Sequence, residues 1–178
     1  MSNARTNHLD WDHFFMGVAL LAAARSKDPK TQNGACVVST KQKILGVGYN
    51  GLPVGCDDRD PIFWLDDDDD AYHSKHSYVV HAEINAILNC AILPIDDAVM
   101  YTTQFPCVKC TQAIIQAGIR QIKYLHSKKL HTSQNAAAQK MLDASGVKYV
   151  QLSEDLISWS GGLTSYLSTQ KGGPSWHT

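Results

Sequence analysis

The sequence predicts an α/β fold in three layers, with helices on both faces of a central mixed sheet of five strands. Three observations predict it. From about residue 81 onward, short apolar runs alternate with segments of helical spacing, the order expected of a partly parallel sheet covered by helices. Two apolar runs nearer the N-terminus are joined by a short polar turn, and this hairpin makes the sheet mixed. Finally, 178 residues is the length of one domain, enough to bury roughly two-thirds of the unfolded surface in a single core. The expectation is one domain over 1–178, with its core at about 11–152 and a tail at 153–178.

The elements follow in order. Residues 11–25 place Phe14, Val18, Leu21 and Ala22 at helical spacing, with Asp10 as a cap and Asp28-Pro29 as a stop. Residues 34–39 and 44–49 form the hairpin around Lys41-Gln42-Lys43, and Asn50-Gly51 ends it. From 52 to 77 periodicity is lost and Asp66 to Asp70 form an unbroken acidic run, which reads as one long loop, a kind that tends to be functional. Order returns with a helix over about 81–90, a strand at 99–102 and a helix opening at Cys107. A strand at 121–125, a helix at about 135–144 and a strand at 147–152 complete the set.

Composition narrows the function classes. The apolar share of 44% and charged share of 19% belong to a folded globular chain rather than a disordered one. No stretch approaches the roughly 20 apolar residues of a membrane span, and the N-terminus lacks the order of a secretory signal, so the expected location is cytoplasmic. Sixteen basic against seventeen acidic side chains leave a net charge of −1, which offers a long nucleic acid no overall positive field. Five cysteines, two of them as Cys107-Val-Lys-Cys110, suggest metal or redox chemistry, with Cys36 and Cys90 as core residues.

The chemistry concentrates in His81-Ala-Glu83 and Pro106-Cys107-Val-Lys-Cys110, each at the start of an expected helix. Thiols three residues apart share a helical face, so both sulfurs can reach one ion. A proline suits the helix entry, and the exposed N–H groups there favour thiolates. One nitrogen and two sulfurs leave a tetrahedral zinc one open position, the mark of a catalytic rather than a structural site. Glu83, two residues beyond the histidine, is free to carry protons as general acid and base. Alone, a Cys-x-x-C is often a structural knuckle or a redox pair, and a lone His-x-Glu carries no information. The combination is the recorded signature of zinc deaminases.

Further motifs give a narrower resemblance. Arg25-Ser-Lys-Asp-Pro29, Gln32-Asn-Gly-Ala-Cys36 and Gly48-Tyr-Asn-Gly-Leu-Pro-Val-Gly55 resemble the N-terminal half of the deoxycytidylate (dCMP) deaminases, a family of the cytidine deaminase-like fold. Residues 78–87 and Ile114-Ile-Gln-Ala-Gly-Ile119 resemble its centre, so the resemblance spans about 11–152. It implies Zn2+-dependent hydrolysis of dCMP to dUMP and ammonia, feeding thymidylate synthesis, with Glu83 protonating N3 and then the departing amine. It implies His81, Cys107 and Cys110 as metal ligands, and Arg25, Asn50 and Lys128 as substrate-binding residues. An arginine suits a phosphate dianion, and an asparagine amide can both donate to and accept from a sugar. It also implies a homohexamer raised by dCTP and lowered by dTTP, Mg2+ accompanying the effector, with Tyr49, Asn50 and Gly51 at the effector site.

The chain departs from the family pattern at Asn33, at Gln104-Phe105 and at Leu130, positions that bear on the shape of the base pocket and on regulation. Some viral relatives carry a second, structural zinc; Cys56, His73 and His76 lie in the comparable loop, but the helix cysteine and the preceding glutamate are missing, so no second site is expected. Rival readings are a dCTP, tRNA adenosine, free base, nucleoside or riboflavin-pathway deaminase, or an inactive zinc- or nucleotide-binding module. The long 53–77 loop and the Arg25–Pro29 segment weigh against the other deaminases, retention of Glu83 against the inactive module, and the five aspartates against a polynucleotide strand. The acidic run itself reads as a solvated loop, with a magnesium or partner contact as the alternative.

Overall fold

A computed structural model describes residues 4, 8–67, 69–91, 95–127, 132–153, 155, 156, 158, 159, 162 and 163. The strands are β1 (Gly34–Val38), β2 (Ile44–Tyr49), β3 (Val99–Gln104), β4 (Gln121–His126) and β5 (Lys148–Gln151). The helices are α1 (Trp11–Ala23), α2 (Ala82–Leu88), α3 (Val108–Gln116) and α4 (Ser133–Ser145). The five strands lie in the order β2-β1-β3-β4-β5. β1 runs antiparallel to both β2 and β3, while β3, β4 and β5 are parallel. The sheet is therefore mixed, as the hairpin and the alternating order predict.

Alternation along the strands assigns the two faces. Ala35, Val37, Met100 and Ile122 point into a core shared with Ala86 of α2, Ile114 of α3 and Leu142 of α4. Cys36, Val38, Tyr101 and Leu125 point the other way, to Phe15, Met16 and Ala19 of α1. Helices on both faces complete the three layers. Leu156, Trp159 and Leu163 of the tail join the α1 side. Among the described residues no helix is long and apolar enough to cross a membrane.

Helix α1 corrects one expectation. Asp10 caps it as predicted, its carboxylate accepting from the His13 N–H at 2.9 Å. The stripe that spacing picks out, however, is turned largely outward: Phe14 and Leu21 are exposed, while Phe15, Met16, Ala19, Leu20, Ala22 and Ala23 are buried. The helix is apolar around much of its circumference, so periodicity alone chooses no face. Close approach chooses it. A Cβ at Gly34 of β1 would stand 1.9 Å from the Ala19 carbonyl oxygen, and only the alanine side of α1 can come so near.

The long 52–77 segment is also more ordered than its composition suggests. It contains three 3-10 turns, Pro61–Trp64, Ala71–His73 and Lys75–Ser77, with Asp60 and Asp70 capping the first two. The acidic run is tied locally. Asp66 pairs with Lys30 and His76, and Asp70 with His73. Of these only the Asp66–Lys30 pair joins residues distant in sequence, a tie no local pattern displays.

Helix α2 lies on β2 with no clearance. A Cβ at Gly48 would stand 2.2 Å from the Ala86 nitrogen and 2.4 Å from the Ala82 carbonyl oxygen. Because both neighbours are backbone, a methyl group there has to move the helix. Gly48→Ala is expected to cost about 1–3 kcal/mol or more in urea unfolding, the usual range for overpacking; a variant as stable as the parent would mean that α2 has slack the packing does not reveal.

Candidate active site

Two helix entries and the end of β3 meet at one place. His81 is the N-cap of α2 and Cys107 the N-cap of α3, and neither side chain caps its own helix. Each is instead free to face the other, and Cys110 joins them from the first turn of α3. The His81 Nδ1 atom lies 3.5 Å from Cys107 Sγ and 3.3 Å from Cys110 Sγ. A tetrahedral zinc bound at about 2.3 Å to sulfur and 2.0–2.1 Å to nitrogen places S and N roughly 3.6 Å apart, so the donor set fits that ion.

The three donor atoms lie within 4.8 Å of one another, the one such group of His, Cys, Asp or Glu among the described residues. Cys56, His73 and His76 do not form a second. Burial is graded across the group, with His81 exposed, Cys107 half-buried and Cys110 buried. One side of the group is thus accessible, as a catalytic metal needs and a structural one does not.

Glu83 sits behind the ligands, 5% exposed. Cys110 Sγ lies 3.5 Å from its Oε2, and Thr102 Oγ1 lies 3.4 Å from its Oε1 and 3.2 Å from the Gln104 carbonyl oxygen. Burial pushes the Glu83 carboxyl above its ordinary range, the direction that suits a group asked to take and give a proton. Without a metal the two cysteines share their protons unequally. The hydrogen bond from Cys110, aided by His81, holds Cys107 down at about 3, and that same bond together with burial pushes Cys110 up. The imidazole of His81 is raised, foremost by its contact with Cys107.

A cavity of about 380 Å³ opens onto this group, within the roughly 300–1,000 Å³ typical of small-molecule sites. His81 and Cys107 line its floor; Asn33, Asn50, Gln104 and Phe105 line its walls, and Ser127, Gln134 and Asn135 close the far side beside the start of α4. The departures from the family pattern at Asn33, Gln104 and Phe105 therefore all face the cavity. Leu130 lies outside the described residues.

The other expected site residues divide. Asn50 lines the cavity, but its amide is engaged: Oδ1 accepts from the Asn33 N–H at 2.8 Å, and Nδ2 donates to the Thr31 carbonyl at 2.9 Å. Tyr49 and Gly51, its neighbours, bond by their backbones to α2 and to Val80. Arg25 is exposed just past α1 and is not among the residues lining the cavity. Lys128 lies outside the described residues.

Sequence reading missed the cavity's charged wall. Lys75 and Asp28 form an ion pair in which both side chains are buried, with Nζ at 2.7 and 2.9 Å from the two carboxylate oxygens. Lys75 falls in a segment without periodicity, and Asp28 reads as a helix stop and as part of the Arg25–Pro29 motif, with nothing to pair the two.

Comparison with known proteins agrees with this geometry. A family model described as the cytidine and deoxycytidylate deaminase zinc-binding region matches residues 9–126. The chain belongs to that family. Among its relatives, the deoxycytidylate deaminase of Pongo abelii is 44% identical over 146 residues, 82% of this chain and 81% of that one. The deoxycytidylate deaminase of Homo sapiens is 44% identical over 138 residues, 78% of this chain and 76% of that one. Among solved structures, the dCMP deaminase of the cyanophage S-TIM5, in complex with dCMP and dUMP, superposes with a TM-score of 0.60 at 25% identity, covering 82% of this chain and all of that one. The deaminase fold of this chain is thus a mixed five-stranded sheet with His81, Cys107 and Cys110 gathered at one end.

The buried ion pair at the cavity wall gives a pH-dependent stability. Burial acts first and pushes Asp28 up, but hydrogen bonds from Lys75 and from the Lys30 and Thr31 N–H groups outweigh it and leave Asp28 below its usual 3.8. A carboxyl lowered in the folded state stabilises fully above its unfolded pKa, and that contribution is lost as pH falls through the folded value. Lys75→Met strands the buried carboxylate and is expected to cost about 3–5 kcal/mol at pH 7. In urea unfolding the penalty should shrink as pH drops and the stranded carboxyl takes up a proton; a penalty independent of pH would mean the pair is not the cause.

Proposed function

We propose that this chain hydrolyses dCMP to dUMP and ammonia, supplying dUMP for thymidylate synthesis, with zinc held by His81, Cys107 and Cys110 and protons carried by Glu83. The observation that carries this reading is a buried carboxyl set against a one-nitrogen, two-sulfur donor group at the floor of a cavity of nucleotide size. Zinc bound there supplies Lewis acidity and lowers the pKa of a water toward neutrality.

The residues do the rest. With the water's oxygen joining C4 of the base, Glu83 takes one of its protons and delivers it to N3. Glu83 then moves the second proton from the new hydroxyl to the amino nitrogen, and the C4–N bond breaks to leave a carbonyl and ammonia. A carboxyl that burial raises above its ordinary range suits a group that must both take and give a proton. Thr102, whose hydroxyl lies 3.4 Å from Glu83 Oε1, is within reach of the carboxyl.

Support for dCMP over other cytosine compounds comes from the relatives, whose names specify deoxycytidylate, and from the cyanophage enzyme, which was solved with dCMP and dUMP. On this reading Asn50, which lines the cavity, contacts the sugar, and Arg25 and Lys128 are the cations for the phosphate. The same reading extends to a cytoplasmic homohexamer of single-domain subunits. Its activity would rise with dCTP, accompanied by Mg2+, and fall with dTTP through the Tyr49-Asn50-Gly51 segment.

Loss of cytosine ultraviolet absorbance, followed with dCMP, cytidine, dCTP and a cytosine oligonucleotide, tests the substrate, and dCMP is expected to turn over fastest. Glu83→Ala should lower kcat by about 10²- to 10⁴-fold, the usual contribution of a general acid and base, while leaving zinc bound. A rate within roughly tenfold of the parent, or loss of the metal, would remove Glu83 from the proton-carrying role.

A further inference from the structure

We infer that Asn85 is a positioning residue for the metal site, holding His81 and Glu83 at their height above Cys107 and Cys110. It rests on the reading of His81 as a ligand and Glu83 as the proton carrier. Asn85 is the middle residue of α2, is half-buried, and is not among the residues lining the cavity.

Two hydrogen bonds make the case. The backbone N–H of Asn85 donates to the His81 carbonyl at 3.1 Å, and its side-chain Nδ2 donates to the Tyr49 carbonyl at 2.8 Å. One residue therefore joins the candidate ligand to the end of β2. On the other side of His81 the chain is tied to the same strand end. The Gly51 N–H donates to the Val80 carbonyl at 3.1 Å, and the Val80 N–H to the Gly51 carbonyl at 2.8 Å. His81 is thus clamped before and after by residues 49 and 51.

The clamp is itself anchored. Between its two arms, Asn50 is buried and fastened to Asp28, Thr31 and Asn33. Helix α2 has seven residues, too short to be rigid by its own hydrogen bonds, and Gly46 and Gly48 let its backbone lie directly on β2. A directional bond to a strand carbonyl fixes its place along the strand. The Tyr49–Asn85 bond is the one nearer the site.

The molecule contains its own control. One helical turn on, Asn89 donates from Nδ2 to the Val47 carbonyl, also at 2.8 Å. Donor, acceptor and length are the same, while Asn89 is exposed at the C-cap and Asn85 half-buried inside the helix, nearer His81. A role limited to stability therefore shows as a difference in Tm; a positioning role shows in turnover and metal release as well.

The test compares the parent with Asn85→Ala and Asn89→Ala as zinc-loaded proteins. It measures Tm, kcat and KM for dCMP, and the rate of zinc release into excess EDTA. We expect both variants to lose Tm, Asn85→Ala at least as much as the exposed Asn89→Ala. Asn85→Ala should also lower kcat about tenfold with KM within about twofold and release zinc about tenfold faster, in line with outer partners of metal ligands. Asn89→Ala should stay within about twofold in kcat and release. Equal kcat and release in the two variants, or a change confined to Tm, overturns the inference. If Asn85→Ala gives no folded protein, Asn85→Ser, which keeps a shorter donor at the position, is read by the same ratio to Asn89→Ala. If the parent holds zinc yet does not turn over dCMP, the substrate reading fails, and the release ratio alone still supports or overturns the role of Asn85.

Discussion

Helix α2 lies so close on β2 that a methyl group at Gly48 would collide with the backbone of Ala82 and Ala86, and the rest of the site depends on that closeness. With the helix flat on the sheet, its first residue emerges at the same level as the loop that leaves β3. That loop leads through Pro106 into Cys107. Two helix starts are thereby brought together from strands that are not neighbours, since β2 and β3 are separated by β1. The ligand group is a product of packing before it is a product of chemistry. Glu83 then takes its character from the same packing, because a carboxyl turned inward from the first turn of a helix on a sheet has nowhere wet to go.

The cavity in front of this group is built from longer-range ties. Asn50, at the end of β2, gathers the segment between α1 and β1 by three contacts to Asp28, Thr31 and Asn33. Lys75, at the end of the long loop, reaches Asp28 from the other side. A buried ion pair is weak as a source of stability and strong as a constraint, since neither partner can leave without stranding the other. It fastens the loop that precedes His81 to the segment that follows α1, and so fixes the distance between cavity wall and metal group.

Much of this was legible from residue order. The hairpin, the four helices and the parallel half of the sheet follow from period and punctuation, with ends shifted by a residue or two. Asp10, His81 and Cys107 all fall at helix entries as their types suggest. The inward face of α1 was not legible. Phe14, Val18 and Leu21 satisfy the same spacing as the buried residues, and the decision lies in the absence of a side chain at Gly34 on another element. The turns within 52–77 were hidden for a similar reason, because their contacts run to Lys30 and Asp28 rather than to near neighbours.

The sequence by itself determined the chemistry available: one imidazole, two thiols and one carboxyl, each at or within the first turn of a helix. That information is local, carried by spacing and by the caps, and it survives without knowledge of the fold. Only the tertiary structure decided that these groups share a site, that Glu83 is buried behind the ligands, that Asn50 is fastened to its surroundings, and that Arg25 stays outside the cavity of its own chain. Those are matters of distance between segments far apart in the chain. Distance is set by close packing and by hydrogen bonds that no single segment contains.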